Sequence, residues 1–130
     1  MIDLYIPKSK YTPEIQFLAS GTLWIKGMSL LEDSQQLYSE VADWLRKFGE
    51  GTPCPAILNL KFDHLDTSSV RSVVDLIKIM NQLSELGFRL TINWYYEKAD
   101  EDLFEIGEAI RSTCQVDFNL IETQIDDFDT

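Results

Sequence analysis

From Phe88 to Tyr96 the chain alternates without interruption. Phe88, Leu90, Ile92, Trp94 and Tyr96 fall on one side, and Arg89, Thr91, Asn93 and Tyr95 on the other. A period of two describes a strand with one face buried and one face wet. The stretch Ala56–Asp63 does the same, with Leu58, Leu60 and Phe62 opposed to Asn59, Lys61 and Asp63. Between the two lies a long helical pattern, and a second helical pattern follows. Strand–helix–strand units imply right-handed crossovers and parallel pairing. A doubly wound parallel sheet has strands apolar on both faces. These strands are not, so the helices are expected on one face, leaving a more polar second face.

The remaining elements fit that frame. Ile2–Ile6 reads as a short strand stopped by Pro7. Ile15–Leu18 and Thr22–Lys26 read as two more, joined through Ala19-Ser20-Gly21, a hairpin signal, with Gly27 ending the third. Leu37, Tyr38, Val41, Trp44, Leu45 and Phe48 form one apolar stripe at helical spacing. Glu32, Asp33 and Ser34 offer acids and a cap at its start, and Gly49 a stop. A second helix is expected from about Ser68 to Leu86, with Val70, Val73, Val74, Ile77, Met80 and Leu83 or Ser84 tracking its buried side and Gly87 after its end. A third runs from after Asp100 to about Ser112, and Val116–Ile121 is a last strand. The expected fold is thus α/β, β-β-β-α-β-α-β-α-β. It is a single domain over residues 1–130 with a mixed, mainly parallel sheet of about six strands and three helices largely on one face. Residues 122–130 form an acidic tail in which Ile125 and Phe128 retain the means to dock.

Charge narrows the function. Eleven Lys+Arg stand against 22 Asp+Glu, a net of -11. Most of it lies late: residues 97–130 carry 11 acidic and 2 basic side chains, against 11 and 9 in residues 1–96. Such a chain repels nucleic acid and anionic lipid and attracts basic protein surfaces. There is no run of ~20 apolar residues to span a bilayer, and the start lacks the layout of a signal peptide. Cys54 and Cys114 are far apart, as expected of two free thiols in a reducing compartment. The expected location is cytoplasmic.

Catalytic and metal chemistry find little to work with. His64 is the sole histidine, with no Cys or His at ligand spacing. Asp100, Glu101, Asp102, Glu105 and Glu108 are dense in carboxylates but lack the alternation and central glycine of a calcium loop. They read as a solvated helix start, or as a docking face for a basic partner through Glu101, Glu105 and Glu108. No metal and no cofactor is expected. An enzyme using Ser68 with His64 has no nucleophile elbow and no phosphate loop to support it. The tryptophans 24, 44 and 94 all fall on stripes expected to be core.

What remains is Asp66-Thr67-Ser68-Ser69, where a strand ends and the second helix begins. These are capping residues by type. If Asp66 caps, Thr67 is a first-turn residue with a solvent-facing hydroxyl, and a phosphate on it would meet the positive end of the helix dipole.

Five pieces in order resemble the SiaC-type biofilm regulation phosphoproteins. They are Thr12-Pro13-Glu14-Ile15; Gly27-Met28-Ser29 with Glu32; Leu60-Lys61-Phe62 with Thr67-Ser68-Ser69; Trp94-Tyr95-Tyr96 with Asp100-Glu101-Asp102; and Glu105-Ile106-Gly107-Glu108. The family has Asn where this chain has Asp66, Tyr-Phe where it has His64-Leu65, and Tyr-Pro where it has Leu30-Leu31. The resemblance implies a fold similar to the sulfate-transporter and anti-sigma-antagonist class, and a non-enzymatic partner-switch protein. It implies that a protein kinase phosphorylates Thr67 and that a metal-dependent serine/threonine phosphatase reverses it. It also implies that the unmodified form activates a diguanylate cyclase, tying cyclic-di-GMP and biofilm formation to the state of Thr67. Asp66, Ser68, Ser69 and Arg71 are the expected partner-binding neighbours. The alternative is an acidic adaptor docking through helix 101–112 without a phospho-switch.

Overall fold

The computed structural model describes residues 1–31 and 34–124. The element order is β1 (Leu4–Ile6), β2 (Glu14–Phe17), β3 (Thr22–Ser29), α1 (Gln35–Gly49), β4 (Ala56–Leu65), α2 (Thr67–Glu85), β5 (Leu90–Glu97), α3 (Glu101–Arg111) and β6 (Asp117–Thr123). The six strands form one sheet in sequence order, β1-β2-β3-β4-β5-β6. β1, β2 and β3 pair antiparallel, and β3 to β6 pair parallel. Each crossover moves the chain one strand further in the same direction. With right-handed crossovers, that places all three helices on one face.

The side chains agree. Leu23, Ile25, Leu58, Leu60, Ile92 and Trp94 are buried under the helices. From α1 come Tyr38, Val41, Trp44, Leu45 and Phe48, and from α2 Val73, Leu76, Ile77, Met80 and Leu83. Phe17 meets Trp44 edge-on at 5.4 Å, and Trp44 stacks on Phe48. The Trp44 indole N–H donates to the Ile2 carbonyl at 2.8 Å, which holds the N-terminal strand over α1. α3 closes the other end: the Trp94 indole N–H donates to the Leu103 carbonyl at 3.0 Å.

The opposite face of the sheet is polar, and no helix of the described residues packs on it. One row across it runs Gln16, Trp24, Asn59, Asn93, Asn119 in direct register. Asn119 donates to Asn93 at 3.1 Å, and Asn93 to Asn59 at 3.0 Å, an amide ladder over three parallel strands. Here an expectation is corrected. Trp24 is not in the core under the helices; it lies on this polar face, half-buried, stacked on Tyr95 with centroids 5.6 Å apart. Its apolar character suggested a buried stripe, but its strand neighbours Leu23 and Ile25 take the inward positions.

Turn chemistry sets the boundaries. Gly21, at φ 108, closes the β2–β3 turn, and Gly87, at φ 100, ends α2. Gly87 N–H reaches the Ser84 carbonyl and Phe88 N–H the Leu83 carbonyl, the paired bonds of a Schellman end. Gly27 does not end β3 as expected. The strand continues through it at φ 120 to Ser29, with a bulge against β4 between Gly27 and Met28. Gly49 lies within α1, whose last turn closes at Glu50. β6 takes in Glu122 and Thr123, so the acidic tail begins after the strand. Glu32, Asp33, Ile125 and Phe128 lie outside the described residues. Within them, no helix is long and apolar enough to cross a membrane.

Candidate functional site

The extra length of β3 matters because of where it ends. Ser29 pairs with Leu65, beside the start of α2. Asp66 sits at the N-cap with extended backbone (φ -86, ψ 173), and its carboxylate accepts the Ser69 N–H at 2.8 Å. Its own N–H donates to the Ser29 carbonyl at 3.1 Å. The cap expected from sequence is therefore formed, and β3 anchors it.

The three hydroxyls that follow separate sharply. Ser69 is fully buried. Its hydroxyl donates to the Ser29 carbonyl at 3.0 Å and accepts from the Ser29 hydroxyl at 2.7 Å. The Ser29 hydroxyl is in turn 2.8 Å from the buried Tyr38 hydroxyl. Burial pushes the Tyr38 phenol well above its ordinary value; the Ser29 hydrogen bond opposes this in part, and the Asp66 charge adds to it. Ser68 is half-buried. Its hydroxyl accepts the Ser34 N–H at 3.2 Å and lies 2.9 Å from the Ser34 hydroxyl. The Ser34 hydroxyl donates to the Ser68 carbonyl at 2.9 Å and meets the Ser72 hydroxyl at 2.6 Å. Thr67 alone is exposed, and its hydroxyl has no hydrogen bond to another described residue.

Two expectations change. Ser69 does not belong to an exposed docking surface: it is a structural hydroxyl joining α2 to β3. Ser34 stands at the N-cap of α1 but makes no side-chain cap bond there. It ties the start of α1 to α2 instead. Sequence placed Ser29, Ser34, Ser68, Ser69 and Ser72 in three separate segments, and only the fold brings them together.

Arg71 is exposed, one turn beyond Thr67. Val70 and Val74, expected on the buried stripe, are only partly buried. With Ile106, Ala109 and Ile110 of α3 and Thr113 just after it they line an apolar groove of about 190 Å³. Val70 and Val74 follow Thr67 at i+3 and i+7, so Thr67 lies on the same face of α2, N-terminal to the groove. Sequence reading missed the groove because two parallel apolar stripes on α2 and α3 look like core until their packing is known. On α3, Asp100 caps by accepting the Leu103 N–H at 3.0 Å, and Glu101, Glu105 and Glu108 are exposed. No group of three or more His, Cys, Asp and Glu among the described residues is arranged to hold a metal. His64 is exposed and makes no hydrogen bond to Ser68, whose hydroxyl is engaged with Ser34.

The model of the SiaC family regulatory phosphoprotein matches residues 6–123. The chain belongs to the SiaC family. A curated relative, an uncharacterised protein of Pseudomonas aeruginosa (strain UCBPP-PA14), is 31% identical over 119 residues, covering 91% of this chain and 94% of its own. The solved structure of SiaC of Pseudomonas aeruginosa superposes with a TM-score of 0.87 at 29% identity, covering 95% of this chain and all of that one. A further structure holds SiaC in complex with the diguanylate cyclase SiaD, whose activator it is. It superposes at TM-score 0.87 and 30% identity, with 93% of this chain covered and 100% of that chain. The single α/β domain, its six-stranded mixed sheet and its three helices are those of the SiaC structure. The family resemblance read from five short motifs is therefore correct.

Proposed function

We propose that this chain is a non-catalytic activator of a diguanylate cyclase, switched by reversible phosphorylation of Thr67, so that cyclic-di-GMP and biofilm formation follow its phosphorylation state. The observation that carries the reading is the division of labour at the start of α2. Of three consecutive hydroxyls, Ser68 and Ser69 are consumed by the fold and Thr67 alone is offered to solvent. Membership of a family of regulatory phosphoproteins supports a modification there, and the SiaC–SiaD complex supports the cyclase as partner.

Phosphate on Thr67 adds about -1.5 to -2 charges. It lies at the N-terminus of a 19-residue helix, where the helix dipole favours anions, and Arg71 stands at i+4 to pair with it. The helix is therefore not disrupted. What changes is the surface N-terminal to the α2–α3 groove: a partner docking across Thr67 into the groove would have to desolvate a dianion. An unmodified hydroxyl presents no such barrier, so the unmodified form binds. Asp66, Ser68 and Arg71 flank the contact. A protein kinase and a serine/threonine phosphatase are the partners this cycle requires.

Phosphopeptide mapping of the chain from its native cell tests the site, and titration of Thr67→Glu and Thr67→Ala proteins against the cyclase tests the consequence. Phosphate on Thr67, with binding weakened at least tenfold by Thr67→Glu and retained by Thr67→Ala, is the expected result. Phosphate on any other residue sinks the assignment. An adaptor docking through Glu101, Glu105 and Glu108 instead would lose binding on charge reversal of those residues and be indifferent to Thr67→Glu.

A further inference from the structure

α2 and α3 lie side by side on the sheet, yet little ties one directly to the other. Among the described residues, Asn81 is the one α2 side chain that hydrogen-bonds across to the α3 side. Ion pairs here stay within a helix, as Lys78 with Asp75 at 3.9 Å. Asn81 follows Val70 at i+11 and Val74 at i+7, so it shares the face of α2 that borders the groove. Its amide is spent in both directions on the turn after α3. The NH2 donates to the Thr113 carbonyl at 3.3 Å, and the side-chain oxygen accepts the Gln115 N–H at 2.9 Å. Thr113 is itself one of the residues lining the groove. Between the two bonded positions sits Cys114, half-buried, with its thiol on the Val116 carbonyl at 3.6 Å.

Along its length α3 is fixed to the sheet. Gly107 rides against the Trp94 ring, and the Trp94 indole N–H holds the Leu103 carbonyl. Only at Asn81 does a hydrogen bond set the spacing between α2 and the α3 side. Of side chains this length, only an amide serves both partners: a carboxylate would repel the Thr113 carbonyl, and an alkyl group would bond neither. We propose that Asn81 is a positioning residue for partner docking: its amide latches the turn after α3 to α2 and so sets the width of the α2–α3 groove. The proposal rests on the reading of that groove as the cyclase's docking site. Asn81 acts through Thr113 and Gln115 and touches no partner atom. A latched groove is preorganised. An unlatched one samples other widths, and affinity falls with the fraction of chains in the fitting form.

Cys114 reports on the latch. Its alkylation by iodoacetamide, resolved from that of Cys54 by peptide mass spectrometry, measures how often the turn opens. In the full chain, Asn81→Ala should raise the Cys114 rate and weaken binding to the diguanylate cyclase of the chain's own cell. Each change should be at least about fivefold, the weight of one hydrogen bond. Asn81→Gln, which keeps the amide, should lie nearer the parent in both, with circular dichroism constant throughout. Ser84→Ala removes a hydroxyl that bonds the Asn81 carbonyl within α2 at 2.7 Å. It loosens the same helix without touching the latch, and should leave both readings at the parent values. An unchanged Cys114 rate in Asn81→Ala overturns the proposal. So does a raised rate with unaltered cyclase affinity, an equal effect from Ser84→Ala, or an Asn81→Gln no nearer the parent than Asn81→Ala. Val74→Asp puts a charge in the groove and leaves the latch in place. If it binds the cyclase as the parent does, docking in the groove is wrong and the role of Asn81 falls with it. If it abolishes binding while Asn81→Ala does not weaken it, only the role of Asn81 falls.

Discussion

Thr67, Ser68 and Ser69 carry the same functional group within one helical turn and meet three different surroundings. Removing the Ser69 hydroxyl leaves the Ser29 hydroxyl without its acceptor in a buried site, although the Ser29 carbonyl keeps the Asp66 N–H. Ser69→Ala should therefore cost about 1–2 kcal/mol in urea unfolding, and Thr67→Ala, on the surface, less than about 0.5 kcal/mol. Equal costs for the two would mean that the network is not what holds this corner. Tyr38 adds a pH dependence. Burial raises its pKa, so the folded chain holds this proton more tightly than the unfolded one. The stability it contributes is complete below pH ~10, the free phenol's value, and is lost as pH rises through and beyond it. Tyr38→Phe should flatten the loss of stability above pH ~10 relative to the parent chain, measured by denaturant unfolding at stepped pH. The Asp66 cap and the exposure of Thr67 were legible in the sequence, since capping residues are recognised by type and position. The burial of Ser69 was not, because its partner Ser29 is 40 residues away and reaches it only through β3–β4 pairing.

At the scale of elements, Gly107 fixes how closely α3 sits on the sheet. A Cβ there would lie 2.6 Å from the Trp94 ring and 2.8 Å from Leu120. Gly107→Ala has to push α3 off β5 and β6, and should cost about 1–3 kcal/mol despite the gain in helix propensity. A thermal melt measures it; a rise in Tm would show that the helix has room to spare. The same displacement would widen the groove between α2 and α3, so the variant should also alter partner binding. Element order was readable because periods of two and 3.6 are local. Lengths were less so: β3 outran its apparent glycine stop, since Gly27 serves a bulge rather than an end. Trp24 misled for the opposite reason. Hydrophobicity indicates that a residue seeks cover without saying which face supplies it.

The whole molecule is a sheet wound in one direction with its charge at one end of the chain. Self-repulsion among 22 carboxylates against 11 basic groups opposes compaction. Raising salt from 0.01 M to 0.1 M shortens the screening length from ~30 Å to ~10 Å. Stability should rise by roughly 1 kcal/mol, about 4 °C in Tm for a domain of this size, in calorimetry at constant pH. A fall in Tm would show that the lysine contacts outweigh the repulsion.

The serine bonds around α2 bear on the proposed modification of Thr67. Ser29 and Ser34, from two other parts of the chain, hold the first turn of α2 by hydrogen bonds at both Ser68 and Ser69. That turn does not open into the extended form in which many kinases thread a linear motif. An isolated peptide copying residues 62–71 has neither serine and too few residues for a stable helix. On the proposed switch, recognition of Thr67 would be three-dimensional: the folded domain would be the kinase's substrate, and a screen of linear peptides for that kinase would come back empty.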